Sequence, residues 1–370
     1  MIYFDHNATT PLDDRVLASM QPFLGPYYGN ASGLYRLSRL SRGAIDAARE
    51  QVATLVGATA AQVIFTSGGT EANNLALKGM ALTMSPGLIV TGPTEHPSIT
   101  GPLGFLVRYG WTVETLPAAT DGLPIMAHFD CVDGRAVGIG TLMLANNETG
   151  VLHDTAAFAA KIRALGGRCH IDAVQAAGKV PVDFNACGAD SMTISSHKLY
   201  GPKGVGALIV DRAIPIEPLL HGGGQEQGLR GGTENVAGIV GFGKAAELAR
   251  AELDSRRQHS LNLRQRLEAR LAALPGLTLF AANTERLPNT VQFSLPGYEG
   301  ETLVMTLDRH GFALSSGSAC ASGGGEPSPV LTAMGIDDDT ARGAVRVSLG
   351  RGNTADEVDR FADTLLTLIH

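Results

Sequence analysis

Long apolar runs are missing from this chain of 370 residues. No stretch of about 18 residues escapes polar interruption, so no membrane-spanning helix is expected. The opening MIYFDHNATT has neither a basic flank nor an apolar core, so no export leader is read there and a cytoplasmic location is expected. Cysteine is scarce: the four, at 131, 169, 187 and 320, form no C-x-x-C pair, which excludes a disulfide framework and fits a reducing compartment. The ten histidines are scattered without H-x-x-x-H or H-E-x-x-H, so no metal centre is expected. Positive charge is also short, with 29 Lys and Arg against 36 Asp and Glu and no basic block; direct nucleic-acid binding is not expected. Neither G-x-G-x-x-G nor G-x-x-x-x-G-K-[ST] occurs where a dinucleotide or P-loop site needs it, and GFGKA lacks both the spacing and the hydroxyl residue.

Glycine is what the chain has in excess, 46 residues, and it is clustered in TSGGTE, HGGGQEQGLRGGTEN and SSGSACASGGGEPS. Such clusters mark sites where the backbone itself does the work. Elsewhere short apolar runs, VIFT (63–66), LIVT (88–91), GTLMLA (140–145), CHID (169–172), MTIS (192–195) and GALIV (206–210), alternate with helical periodicity at 38–56, 70–84 and 155–165. Strand alternating with helix predicts an α/β fold whose large domain has a mostly parallel sheet flanked by helices. A long helical stretch over 236–274 leads into a different texture, with strands in NTVQFSL and AVRVSLG and helices near 300–310 and 355–369. The expected division is a large domain over 14–251 and a smaller α+β domain over 252–370, completed by residues 1–13.

Ligands of open parallel sheets gather at the carboxyl ends of the strands. After VIFT comes SGGTEANN, a glycine turn opening a helix, whose free N–H groups around Gly69 and Thr70 suit a phosphate, although capping alone also explains it. After CHID, Asp172 is a metal ligand, a general base, a partner for a protonated ring nitrogen, or a plain helix cap. After MTIS come His197 and Lys198. A lysine at an apolar strand end is a candidate for carbonyl chemistry, whereas Lys203 is read as solvated. Together a phosphate cradle, a carboxylate and an amine suit pyridoxal 5′-phosphate, an electron sink for carbanions. Cys320 alone reads first as a tolerated surface thiol and second as a nucleophile.

The stretches YFDHNATTPLD, GNAS, VIFTSGGTEANN, TEHPS, ANNETG, HIDAVQAAGKVPVD, SSHKLYGPKG, HGGGQEQGLRGGTEN, SSGSACASGGGEPS and VRVSLGR follow one another in a family's order over nearly the whole length. On them the chain resembles the cysteine desulfurases, fold-type I pyridoxal-phosphate enzymes of the aminotransferase class V group. The resemblance implies that Lys198 carries the cofactor and moves the substrate's Cα proton. It implies that Asp172 pairs with the pyridinium nitrogen and that Gln175 reaches the phenolic oxygen, with Asn147 nearby. His96 would stack on the ring and serve as acid or base toward thiols. Gly69, Thr70, Ser195 and His197 would hold the phosphate, joined by Thr233 from the partner subunit of a homodimer. Arg346 would clamp the carboxylate of L-cysteine, with Asn30. Cys320 would take the sulfur as a persulfide, leaving L-alanine, and pass it to a sulfur-acceptor protein.

Two departures stand out: GLYRLS (33–38) where many members read SLHxFG, and GGGEPS without the usual leucine before the proline. Alternatives on the same scaffold are a selenocysteine lyase or another class V lyase or aminotransferase; outside catalysis, an inactive partner subunit.

Overall fold

The computed structural model describes residues 1–132, 134–316 and 326–368. Cys320 lies outside the described residues. A short strand β1 (Ile2–Tyr3) opens the chain, and seven strands then build the main sheet: β2 (Val63–Thr66), β3 (Leu88–Thr91), β4 (Thr112–Thr115), β5 (Val137–Met143), β6 (Arg168–Asp172), β7 (Ser191–Ser195) and β8 (Gly206–Val210). Their order is β2-β8-β7-β6-β5-β3-β4, and only β8 runs against its neighbours.

The near-continuous apolar strands make sense because both faces are covered. Ile64, Ile89, Ile139 and Leu208 point to one side, where they meet the helices Gly69–Ala81 and Pro97–Val107. Val63, Phe65, Val90, Leu142, Ile171 and Met192 point to the other, against the helices Arg36–Leu55, Thr155–Ala164 and Val236–Ala251. Alternation along each strand thus sorts side chains between two cores.

Two expectations from the sequence shift. The strand expected at 140–145 runs from Val137 to Met143. Its glycines hid it, yet Gly140 is required: a Cβ there would come within 2.3 Å of Ile162 Cγ1. The long helix over 236–274 is two helices, Val236–Ala251 and Leu253–Leu271, broken at Glu252 with φ −106° and ψ 10°. The break falls where the buried stripe changes partner. Leu248 and Ala249 belong to the main core, whereas Leu263, Leu267 and Leu271 belong to a second one.

That second core surrounds β9 (Thr278–Leu279), β10 (Thr290–Ser294), β11 (Phe312–Ala313), β12 (Ser315–Ser316) and β13 (Ala344–Ser348). An antiparallel sheet of order β12-β13-β10-β9 supplies Phe293 and Val347; Phe361 of the last helix and Phe4 of the first residues complete the packing. β1 pairs in parallel with β11, so the N-terminal segment lies against the C-terminal elements. From there Asn7 reaches the edge of the main sheet.

Candidate active site

The carboxyl ends of β2, β3, β5, β6 and β7 all open on one cavity of about 480 Å³. That size suits a small organic cofactor. Gly69, Thr70, His96, Asn147, Asp172, Gln175, Ser195, His197, Lys198 and Arg346 all line it. Residues far apart in the chain meet there because most lie at or just after strand ends of the main sheet, while Arg346 comes from β13 of the smaller sheet. Asn30 and Thr233 do not line it: both are exposed, and the Asn30 side chain accepts from the Ser32 amide in its own turn.

One end of the cavity is built for an anion. The helix Gly69–Ala81 begins there without a side-chain cap, and its first N–H groups have no partner within the helix. The buried Ser195 hydroxyl has no hydrogen-bond partner among the described residues. A Cβ at Gly69 would lie 3.0 Å from Val174 Cγ2 and 3.7 Å from Ser195 Cβ, so a side chain there would fill the cradle. β8 closes the back of the turn, and Gly206 must remain a glycine, since a Cβ would fall 2.7 Å from the Gly68 carbonyl carbon. An unused hydroxyl, open amides and an emptied corner fit a phosphate.

The other end centres on Asp172, at the tip of β6. Its Oδ1 accepts from the Val174 amide at 2.9 Å and its Oδ2 from Asn73 Nδ2 at 2.8 Å. Asn73 is fully buried and also donates to Ser98 Oγ at 2.8 Å, while its Oδ1 faces His170 Nε2 at 3.0 Å. His170 must therefore carry its proton on Nε2 and accept from Ser191 Oγ on Nδ1. Ser98 Oγ, already an acceptor, turns its proton toward His96 Nδ1 at 2.8 Å, where the Ser98 amide also points at 3.1 Å. Two donors on Nδ1 leave the neutral His96 ring with its proton on Nε2. Burial lowers the proton affinity of His96, opposed by the Asp172 carboxylate and helped by Lys198. A fixed carboxylate beside a flat neutral ring suits a pyridinium held face-on.

Between the two ends, Lys198 donates to the backbone carbonyls of Asn7 and Ala8. Arg346, only 4% exposed, is braced by Asp5 Oδ1 at 2.7 Å and the Asn147 carbonyl at 2.9 Å. This bracing aligns its fork while leaving donors for a carboxylate. Sequence reasoning missed these supports: Asn7, Asn73, Ser98 and His170. Asn73 had a signal, lying one helical turn beyond Thr70, but nothing local distinguishes it from Asn74.

Burial holds several histidines neutral here: His6 and His197 fall from 6.5 to about 4 and His170 to about 3. It lifts Glu95 from 4.5 to about 8 and Glu148 to about 7. Between pH 6.5 and 4.5 the unfolded chain binds protons on His6, His170 and His197 that the folded chain refuses, and burial lowers His96 and His153 in the same direction, while the folded chain holds two on glutamates that the unfolded chain has lost. The histidines outnumber the glutamates, so stability falls on acidification, and more steeply below 4.5 where the glutamates no longer oppose it. Urea midpoints of the cofactor-free protein across this range should show that bend. A midpoint that rises on acidification would contradict it.

The family model for aminotransferase class-V matches residues 2–361. A cysteine desulfurase of Nostoc sp. is 39% identical over 371 residues, covering 100% of this chain and 93% of that protein. Among solved structures, a NifS-like protein superposes with a TM-score of 0.93 at 35% identity, covering 100% of this chain and 99% of that one. SspA, solved in complex with cysteine, gives a TM-score of 0.83 at 30% identity, over 96% of this chain and 100% of that one. No helix among the described residues is long and apolar enough to cross a membrane. With this match spanning both cores and the cavity between them, the chain belongs to the aminotransferase class-V family, among its cysteine desulfurases.

Proposed function

We propose that the protein is a pyridoxal 5′-phosphate-dependent cysteine desulfurase, converting L-cysteine to L-alanine and leaving a persulfide on Cys320 for a sulfur-acceptor protein. The observation that carries this reading is the single cavity in which an anion cradle, a fixed carboxylate and a strand-end lysine face one another. The bound cofactor supplies an electron sink for the carbanion at the substrate's Cα. Gly69, Thr70, Ser195 and His197 would hold its phosphate, Asp172 would pair with its ring nitrogen, and Gln175 would donate to its phenolic oxygen. His96 covers the ring face and offers its Nε2–H to the substrate thiol. Arg346 binds the substrate carboxylate, and Lys198 carries the proton to and from Cα.

The sulfur balance needs no further reactant. The substrate C–S bond breaks as the Cys320 thiolate forms an S–S bond, and the thiol proton ends on the new methyl carbon. The outgoing species is a persulfide anion and L-alanine. Thr233 completes the phosphate site from the partner subunit of a homodimer, with Asn30 joining Arg346 at the substrate. The chain divides between a cofactor-binding unit over 14–251 and a smaller one over 252–370 with 1–13, and it works in the cytoplasm.

Reconstituting the protein with pyridoxal 5′-phosphate and reducing it with borohydride should place the pyridoxyl mass on the peptide of Lys198. The same preparation, given L-cysteine and a thiol reductant, should release alanine and sulfide in equal amounts. Label on Lys203 would displace Lys198 from its role, and alanine without sulfide would overturn the desulfurase reading.

A further inference from the structure

Lys179 lies in the stretch HIDAVQAAGKVPVD with no role yet assigned to it, and its place in the site is unusual. A turn of helical spacing after β6 brings it onto the same side as Gln175, four residues earlier, through the hydrogen bond from the Ala177 amide to the Ala173 carbonyl. Its ammonium donates to Gln175 Oε1 at 2.7 Å and to Asn7 Oδ1 at 2.8 Å. Both carboxamides are buried, and their remaining partners admit one orientation each. Gln175 Nε2 donates to the Asn7 carbonyl at 2.9 Å, and Asn7 Nδ2 donates to the Asn147 carbonyl at 3.1 Å and to Thr290 Oγ1 at 2.9 Å. Turning either amide over would set an oxygen against a carbonyl and an NH₂ against the ammonium.

Structure alone does not call for a lysine here. Among the described residues Lys179 is in no ion pair, and its charged neighbours Lys198 and Arg346 are cations, the second already paired with Asp5. His6 and His197 lie within its field and are held neutral. Burial and those two cations push the Lys179 ammonium well below the usual lysine range. A partly buried cation among cations is costly, and an apolar or neutral residue would relieve it.

We propose that Lys179 is the positioning residue for Gln175: by occupying the carboxamide oxygen it leaves Nε2 as the only group Gln175 can turn to the cofactor's phenolic oxygen. The inference rests on the reading of the cavity as a pyridoxal 5′-phosphate site. A donor held at that oxygen favours its anionic form and so lowers the pH at which the bound cofactor changes its absorbance. Removing the ammonium should raise that midpoint.

The test is a double-mutant cycle on reconstituted holoenzymes, read by absorbance against pH. Lys179→Met should raise the midpoint by about one pH unit, on the scale of one lost hydrogen bond to a charged group. Starting from Gln175→Ala, the same change should move it by less than about half as much, because the group through which Lys179 acts is gone. Should Lys179→Met not fold, Lys179→Gln, which retains a donor amide, takes its place, with a smaller shift of the same sign expected. Equal shifts in the two backgrounds overturn the inference and leave the cofactor site standing. A wild-type protein that shows no cofactor absorbance removes the site and the inference together.

Discussion

A Cys320→Ser enzyme should take up L-cysteine, change its cofactor absorbance on doing so, and turn almost none of it over. The reason lies in what else could accept sulfur. Cys169 is buried in β6 and Cys187 is buried beside the main core; Cys131 is exposed, and none of the three lines the cavity. Burial also pushes the Cys169 and Cys187 thiols up, away from the thiolate that attack requires. A serine hydroxyl is far less acidic than a thiol and forms no persulfide. Substrate binding, by contrast, is proposed to use Arg346, His96 and Lys198, which the substitution leaves in place. Alanine production should fall by about a thousandfold or more, the scale seen when a nucleophile is removed. Turnover within tenfold of the parent would mean that sulfur leaves by another route.

Replacing Asp172 with alanine should cost nearly as much by a different path. Among the described residues the carboxylate is the only acid accepting from Asn73, and Asn73 in turn directs His170 and, through Ser98, His96. On the proposed reading, losing it would remove the negative charge meant for the cofactor's ring nitrogen, and it unties the side chain that orients His96 through Ser98. Preorganised charges of this kind contribute about 10²–10³-fold in mutagenesis, so a loss of at least that size in turnover is expected. Covalent attachment at Lys198 should survive, because the lysine sits on the segment after β7, whereas Asp172 ends β6. Borohydride labelling of Lys198 with turnover reduced a hundredfold or more is the expected pair of results. Turnover near that of the parent would set aside the role of the carboxylate.

Much of the architecture could be read from the chain. VIFT, LIVT, CHID, MTIS and GALIV each fall on a strand because strands covered on both faces must be apolar throughout, whichever way they run. Strand-end placement then pointed to Gly69, Thr70, Asp172 and Lys198 by chemistry alone, and the structure brings them to one cavity. The resemblance added His96, Asn147, Ser195 and Arg346, which also line it. Reading fell short where glycine interrupts the apolar pattern, as at Gly138, which hid the first residues of β5. It failed again where two helices of unlike partners run on without proline or glycine, as at Glu252. A helical pattern continues across that break; only the separate cores on either side make the chain turn.

What the sequence determined by itself is the alternation of strand and helix and the chemical types of the residues at the strand ends, since both depend on neighbours within a few positions. The tertiary structure alone decided which way those residues face and what holds them. Asp5 bracing Arg346, Asn73 joining Asp172 to His170 and Ser98, and Lys179 fixing Gln175 and Asn7 are contacts between polar groups, most of them far apart in the chain. A buried polar side chain must find a partner, and the partner is set by where the backbone brings it rather than by spacing along the chain. The orientation of an amide and the tautomer of an imidazole therefore become readable only once both ends of each hydrogen bond are in place.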